Sequence, residues 1–178
     1  MRTLKSLCLA AATLAVALPA LAGVSPHETI SATIDGNKVT ITYGRPYTKN
    51  PRTGEARKIW GSLVPYGKVW RTGADAATTL TTEKDLVFGE TTVPTGKYTL
   101  YTLPAADGSA KLIINKQTGQ WGTQYDEKQD LARVDMKKSA CEKTVDQFTM
   151  AIEKNDAGGV IKMMWEDTQY SVPFTVKK

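Results

Sequence analysis

The sequence is poor in the residues that most often do chemistry. One histidine, His27, and two cysteines, Cys8 and Cys141, are all that 178 residues contain. Any histidine-dependent acid–base or nucleophilic mechanism must therefore run through His27. Ser62 and Ser109 stand beside glycines but lack the Gly-x-Ser-x-Gly frame that exposes a nucleophile. No motif supports a pairing of Cys141 with His27. Metal ligands are equally scarce: His27-Glu28 and Met163-Met164 lack ligand spacing, and Asp126, Glu127 and Asp130 lack the calcium-loop frame. His27-Glu28 reads as a solvated N-terminal arm, and Met163-Met164 as a strand pair with one side chain in the core and one outside. No catalytic residue, metal or cofactor is assigned, and the enzyme question tilts towards no.

Long hydrophobic runs are also missing. The single apolar stretch, Leu7 to Leu18, falls short of the roughly 20 residues a membrane span needs. Preceded by Arg2 and Lys5 and followed by Pro19 and Ala20-Leu21-Ala22, it reads as a secretory signal peptide, residues 1–22, cleaved after Ala22. Cys8 lies too early for a lipidation cysteine, so the expectation is a periplasmic or secreted domain, 23–178, with no stable membrane insertion. Cys141 is then the only cysteine, no internal disulfide can form, and stability rests on the core. Its thiol is read as incidental, with a mixed or intermolecular disulfide as the alternative. Taking Arg2 and Lys5 from the 23 basic residues leaves 21 against 18 acidic ones. That excess is spread in no run longer than two, which argues against nucleic acid as a partner. Oligomeric state is not readable.

What is present is period-2 alternation. Ile30, Ala32 and Ile34, then Val39, Ile41 and Tyr43, flank Asp35-Gly36-Asn37-Lys38. A hairpin looping at Gly36-Asn37 puts every one of these on one face, with Ile34 opposite Val39. Further short strands are read at 78–82, 85–88, 97–103, 111–115, 131–137, 148–152, 160–165 and 170–176, with Val93-Pro94-Thr95-Gly96 and Asp107-Gly108 as turns. Residues 116–130 read as a loop, and 139–147 as room for one helical turn. Roughly nine or ten strands without an amphipathic helix predict an all-β, single-domain antiparallel β-sandwich, jelly-roll-like or a barrel-like variant.

The stretch from Lys58 to Thr79 stands apart, with two tryptophans, a tyrosine and three glycines around Trp70-Arg71. The preceding connection, Arg45 to Arg57, is long, basic and rich in Pro and Gly, the composition of a surface loop of functional length. The segments Tyr43-Gly-Arg-Pro46, Ile59-Trp-Gly-x-Leu-Val-Pro-Tyr-Gly67, Val69-Trp-Arg-Thr-Gly-Ala-Asp75, Pro94-Thr-Gly-Lys-Tyr-Thr-Leu100 and Trp121-Gly…Tyr125…Asp130…Arg133 together resemble the bacterial secreted family catalogued as domain of unknown function 2911 (DUF2911). The resemblance covers essentially the whole chain after Ala22. Two departures stand out. Asp75 and Ala76 replace an Asn often followed by Glu, which changes the charge of any site, and Gly54-Glu-Ala-Arg57 replaces a more compact Gly-Arg element. The family name implies no activity.

The remaining constellation is cationic and aromatic. Arg45, Arg71 and Arg133 each lie near aromatic residues: Tyr43 and Tyr47, Trp70, and Tyr125. A guanidinium grips carboxylate, sulfate or phosphate bidentately, while indole and phenol faces suit a sugar or cation. The expected ligand-binding set is Arg45, Tyr47, Trp70, Arg71, Asp75, Trp121, Tyr125, Asp130 and Arg133, binding a small polar or anionic ligand such as a saccharide or cell-envelope fragment. Three other readings stand beside it. The arginines fasten loops onto the sheet through Asp75 and Asp130, with Trp60 and Trp165 in the core. Asp75 or Asp130 serves an envelope-directed hydrolase or lyase. Or the domain is a structural adaptor that pairs through a sheet edge and has no pocket.

Overall fold

The computed structural model describes residues 25–178. The expected signal peptide lies outside them. Nine strands follow in chain order: β1 (His27–Ile34), β2 (Asn37–Gly44), β3 (Thr79–Thr82), β4 (Leu86–Phe88), β5 (Thr91–Val93), β6 (Gly96–Pro104), β7 (Ala110–Asn115), β8 (Asp130–Asn155) and β9 (Gly158–Val176). All pair antiparallel, in the order β1-β2-β3-β6-β7-β8-β9-β4-β5. The expected all-β antiparallel class is therefore what the chain adopts. Hydrogen bonding traces one sheet through every strand. Among the described residues no helix is long and apolar enough to cross a membrane.

The first hairpin forms, with its turn one position earlier than expected. Asp35 and Gly36 both have positive φ, 49° and 72°, and Ile34 pairs with Asn37, Ala32 with Val39 and Ile30 with Ile41. Two consecutive positive-φ residues make the tight turn whose twist matches the strands, and Asp-Gly fits it better than Gly-Asn. Moving the turn by one residue shifts the pairing by two, so the same apolar set stays on the core face. Asn37 is freed for another task. Its buried side chain accepts from the Glu83 and Lys84 amides and donates to Thr82, fastening β2 to the end of β3.

His27 and Glu28 open β1 rather than forming a solvated arm, because their backbones pair with Gly44 and Tyr43. Residues 139–147 are strand, not a helical turn. They lie inside β8, where the register against β9 shifts between Ala140 and Val145 and again between Val145 and Thr149. Extra residues on one strand bend it sharply. β8 thus leaves β7 and swings across to the far end of the sheet, where the Thr48 amide donates to Asp146 O and the Phe148 amide to Pro46 O. At 116–130 the expected loop contains a short 3-10 turn, Glu127–Gln129, capped by the Asp126 side chain on the Lys128 amide.

The core fills the space enclosed by this bend. Trp165 and Phe148 are fully buried, and Trp70 is 7% exposed. Trp70 stacks on Trp165 at 6.0 Å and meets Phe148 edge-on at 5.1 Å, while Tyr43 meets Phe148 at 5.8 Å. Trp60 packs on Tyr170 instead, and its buried indole N–H has no partner among the described residues. Met163 is buried and Met164 half-buried, as strand alternation requires.

Candidate functional site

Trp70 decides where the central loop goes. Its backbone exchanges both hydrogen bonds with Thr102 of β6, and its indole plugs the aromatic core. The next residues must then climb out of the core within a few positions. They do so through unusual backbone: Thr72 at φ 52° and Asp75 at φ 63°. A β-branched residue in the left-handed region is a genuine outlier, tolerated where surroundings over-determine it. Here the Thr72 hydroxyl pairs with that of Thr102, and the Thr78 hydroxyl donates to Thr72 O. Close packing completes the fixing, since a methyl group on Gly44 would lie 2.3 Å from Ala74 O.

This loop forms one wall of a cleft of about 730 Å³, within the range of small-molecule sites. Trp70, Trp165, Val69 and Leu63 supply apolar surface, with Tyr101 and Tyr125 alongside. The phenol rings meet edge-on at 4.8 Å. Tyr101 donates to Gln124 O. The 45–57 connection forms the opposite rim, and from it Tyr47, Arg52 and Arg57 reach the cleft. Arg57 is held by the carbonyls of Tyr47 and Thr48, and burial pushes its guanidinium pKa down. Among the described residues the Arg71 guanidinium donates to Gly73 O alone, at 3.3 Å. Among the described residues none of these three arginines forms an ion pair. Among the described residues the one carboxylate of the lining is Asp75. Its Oδ2 accepts from the Ser25 amide at 2.9 Å and lies 3.6 Å from His27 Nε2.

Five of the nine sequence-chosen residues, Tyr47, Trp70, Arg71, Asp75 and Tyr125, line this cleft. The other four do not, so the three chosen arginines do not converge on one hollow. Arg45 instead reaches β8, donating to Phe148 O and Thr149 Oγ1 and pairing with Glu28 at 3.3 Å. Arg133 is held by Asp130 and Glu127, and donates to the Tyr125 hydroxyl. Tyr125 in turn donates to Asp130 Oδ2 at 2.6 Å, and Asn115 donates to Oδ1. Burial, then the bond to Asp130 and its charge, push the Tyr125 phenol up to about 12. Loop fastening thus describes Arg45 and Arg133, while Arg71 stands apart from it. Trp121 is half-exposed beside the lining residue Gly122 and pairs with Ala76.

Arg52, Arg57 and Tyr101 were not singled out from the sequence. The signal for the two arginines was there, in a basic connection long enough to be functional. Tyr101 carries none, since it alternates like any strand residue. Among the described residues no cluster of three or more His, Cys, Asp or Glu has metal-site geometry. Cys141 is half-buried, and burial with the nearby Asp167 raises its pKa, which disfavours the reactive thiolate.

Fold and cleft together define an all-β domain whose basic, aromatic hollow lies between its central loop and a long connection. The chain belongs to the family described as Protein of unknown function (DUF2911), whose sequence model matches residues 25–174. No curated protein and no solved structure matches it.

Proposed function

We propose that the chain is an exported binding module that holds a small anionic ligand, such as an acidic saccharide or an envelope fragment, in the cleft between the central loop and the 45–57 connection. The observation that carries this reading is the set of three cleft-lining guanidiniums, Arg52, Arg57 and Arg71, with no ion-pair partner among the described residues. Three cations on one concave surface repel one another, and an anion relieves that repulsion. Arginine's rigid fork suits carboxylate, sulfate or phosphate. An adaptor working through a sheet edge would require no such hollow. The hydrolase or lyase reading gains nothing from Asp130, whose oxygens are held by Arg133, Tyr125 and Asn115.

The test is thermal stabilisation by galacturonate, N-acetylmuramate and glucose 6-phosphate. Wild-type protein is expected to melt at higher temperature with at least one of them. Arg71→Ala is expected to lose that stabilisation while remaining folded, because the side chain contributes a single long hydrogen bond to the fold and costs about 1 kcal/mol or less. Failure of the variant to fold would return Arg71 to a fastening role.

A further inference from the structure

The central loop carries two opposite charges that do not meet. Arg71 and Asp75 are four residues apart, both half-buried and both on the cleft wall. Two such groups on a short loop ordinarily close an ion pair, since attraction grows as water is excluded. Here no ion pair joins them. Gly122 packs against both residues. Its amide donates to Asp75 O at 2.9 Å, and its Cα face lies against the Arg71 stem, so close that a methyl group there would sit 2.9 Å from Arg71 Cδ. Between them the backbone turns through positive φ at Thr72, and Asp75 itself has positive φ.

The carboxylate is also only half used. Asp75 Oδ2 takes the Ser25 amide and faces His27, whereas Oδ1 accepts no hydrogen bond among the described residues. A site for a simple anion gains nothing from an under-coordinated carboxylate in its wall, which repels the ligand. A site for a dipolar ligand does, because an ammonium has three donors and seeks such an acceptor. We infer that the cleft binds a short acidic peptide or amino acid with a free amino group, its ammonium at Asp75 and its carboxylates at Arg71, Arg52 and Arg57. Three cationic groups against one anionic group match a ligand with more carboxylates than ammoniums. The apolar surface of Val69, Leu63 and Trp70 accommodates the connecting carbons. This deepens the reading of the cleft as an anion site and rests on it.

Calorimetry with alanyl-glutamate, its N-acetyl derivative and galacturonate separates the two. Wild-type protein is expected to bind alanyl-glutamate at least about ten-fold more tightly than the acetylated form, the equivalent of about 1.4 kcal/mol. In Asp75→Asn the two peptides should bind within about two-fold of each other, less than 0.5 kcal/mol. Asparagine keeps an acceptor for the Ser25 amide and tolerates the positive φ at this position. Equal binding of free and acetylated peptide by wild type overturns the dipolar assignment, as does a preference that survives Asp75→Asn. If galacturonate alone binds, and Arg71→Gln abolishes its binding, the anion site stands and the peptide is overturned. If Arg71→Gln leaves every probe unaffected, the cleft reading itself falls. Should Asp75→Asn not fold, the wild-type comparison of free and acetylated peptide decides alone.

Discussion

Asp130 shows how a side chain that looks functional in one dimension becomes structural in three. Its oxygens accept from Tyr125, Arg133 and Asn115, and it is nearly buried beneath them. Asp130→Ala leaves the Tyr125 hydroxyl without its acceptor and Arg133 with Glu127 as its remaining carboxylate partner, which should lower stability by about 1–3 kcal/mol. Because Tyr125 lines the cleft, the same variant should weaken binding of any cleft ligand. A urea midpoint and a titration on one preparation check both. Sequence reasoning reached Asp130 and Arg133 through their spacing and aromatic neighbours, yet spacing is blind to whether a carboxylate already sits on a guanidinium. Nothing in the sequence marked Thr72, whose φ of 52° is set by contacts to Thr78 and Thr102.

At the level of elements, legibility followed the range of the interaction that fixes each one. The first hairpin was readable because alternation and turn chemistry are local, and even the wrong turn position preserved the buried face. From the sequence, β8 and β9 read as four separate strands because the charged and polar stretches around Lys143 and at Glu166-Asp167 break the alternation. The first break stays extended because Ala140 and Val145 pair with Thr168 and Glu166 of β9 and Asp146 and Phe148 with the distant Thr48 and Pro46. Gly122 belongs to the same class of hidden constraint: it reads as an ordinary loop glycine and has no positive φ that demands one. Its role comes from the 71–75 loop pressed against it. Gly122→Ala should therefore displace Asp75 O or the Arg71 stem, cost about 1–3 kcal/mol, and weaken the binding of an anionic probe without removing any polar group. Calorimetric titration beside a thermal melt checks it, and unchanged affinity would show that Gly122 does not hold the two charges in place.

Across the whole molecule, what closes the sheet is a chain of polar contacts as well as the aromatic core. The Met150 amide donates to the Tyr43 hydroxyl, Tyr43 donates to Glu28, and Glu28 pairs with Arg45, which reaches back to Phe148 O. No pattern along the chain could announce that β2 and the second half of β8 would meet, so the three arginines picked from motifs were sent to different places by this closure. Its consequence is alkaline sensitivity. Burial, with a smaller push from Glu28, raises the Tyr43 phenol to about 12, and Tyr125 is raised to about 12 on the far side of the cleft. An unfolded phenol ionises near 10. The fold favours the protonated forms, so their contribution is complete below about pH 10 and disappears as pH climbs through about 12. Urea midpoints are expected to hold steady to about pH 10 and then drop. Absorbance near 295 nm should show a late ionising fraction, part of which is lost in Tyr43→Phe. That variant also leaves the Met150 amide without its acceptor, so its stability at neutral pH should fall by about 1–3 kcal/mol, while its further loss between pH 10 and 12 should be shallower than that of wild type. A decline of equal steepness in both proteins would mean that the phenol joining β2 to β8 is not what alkali undoes.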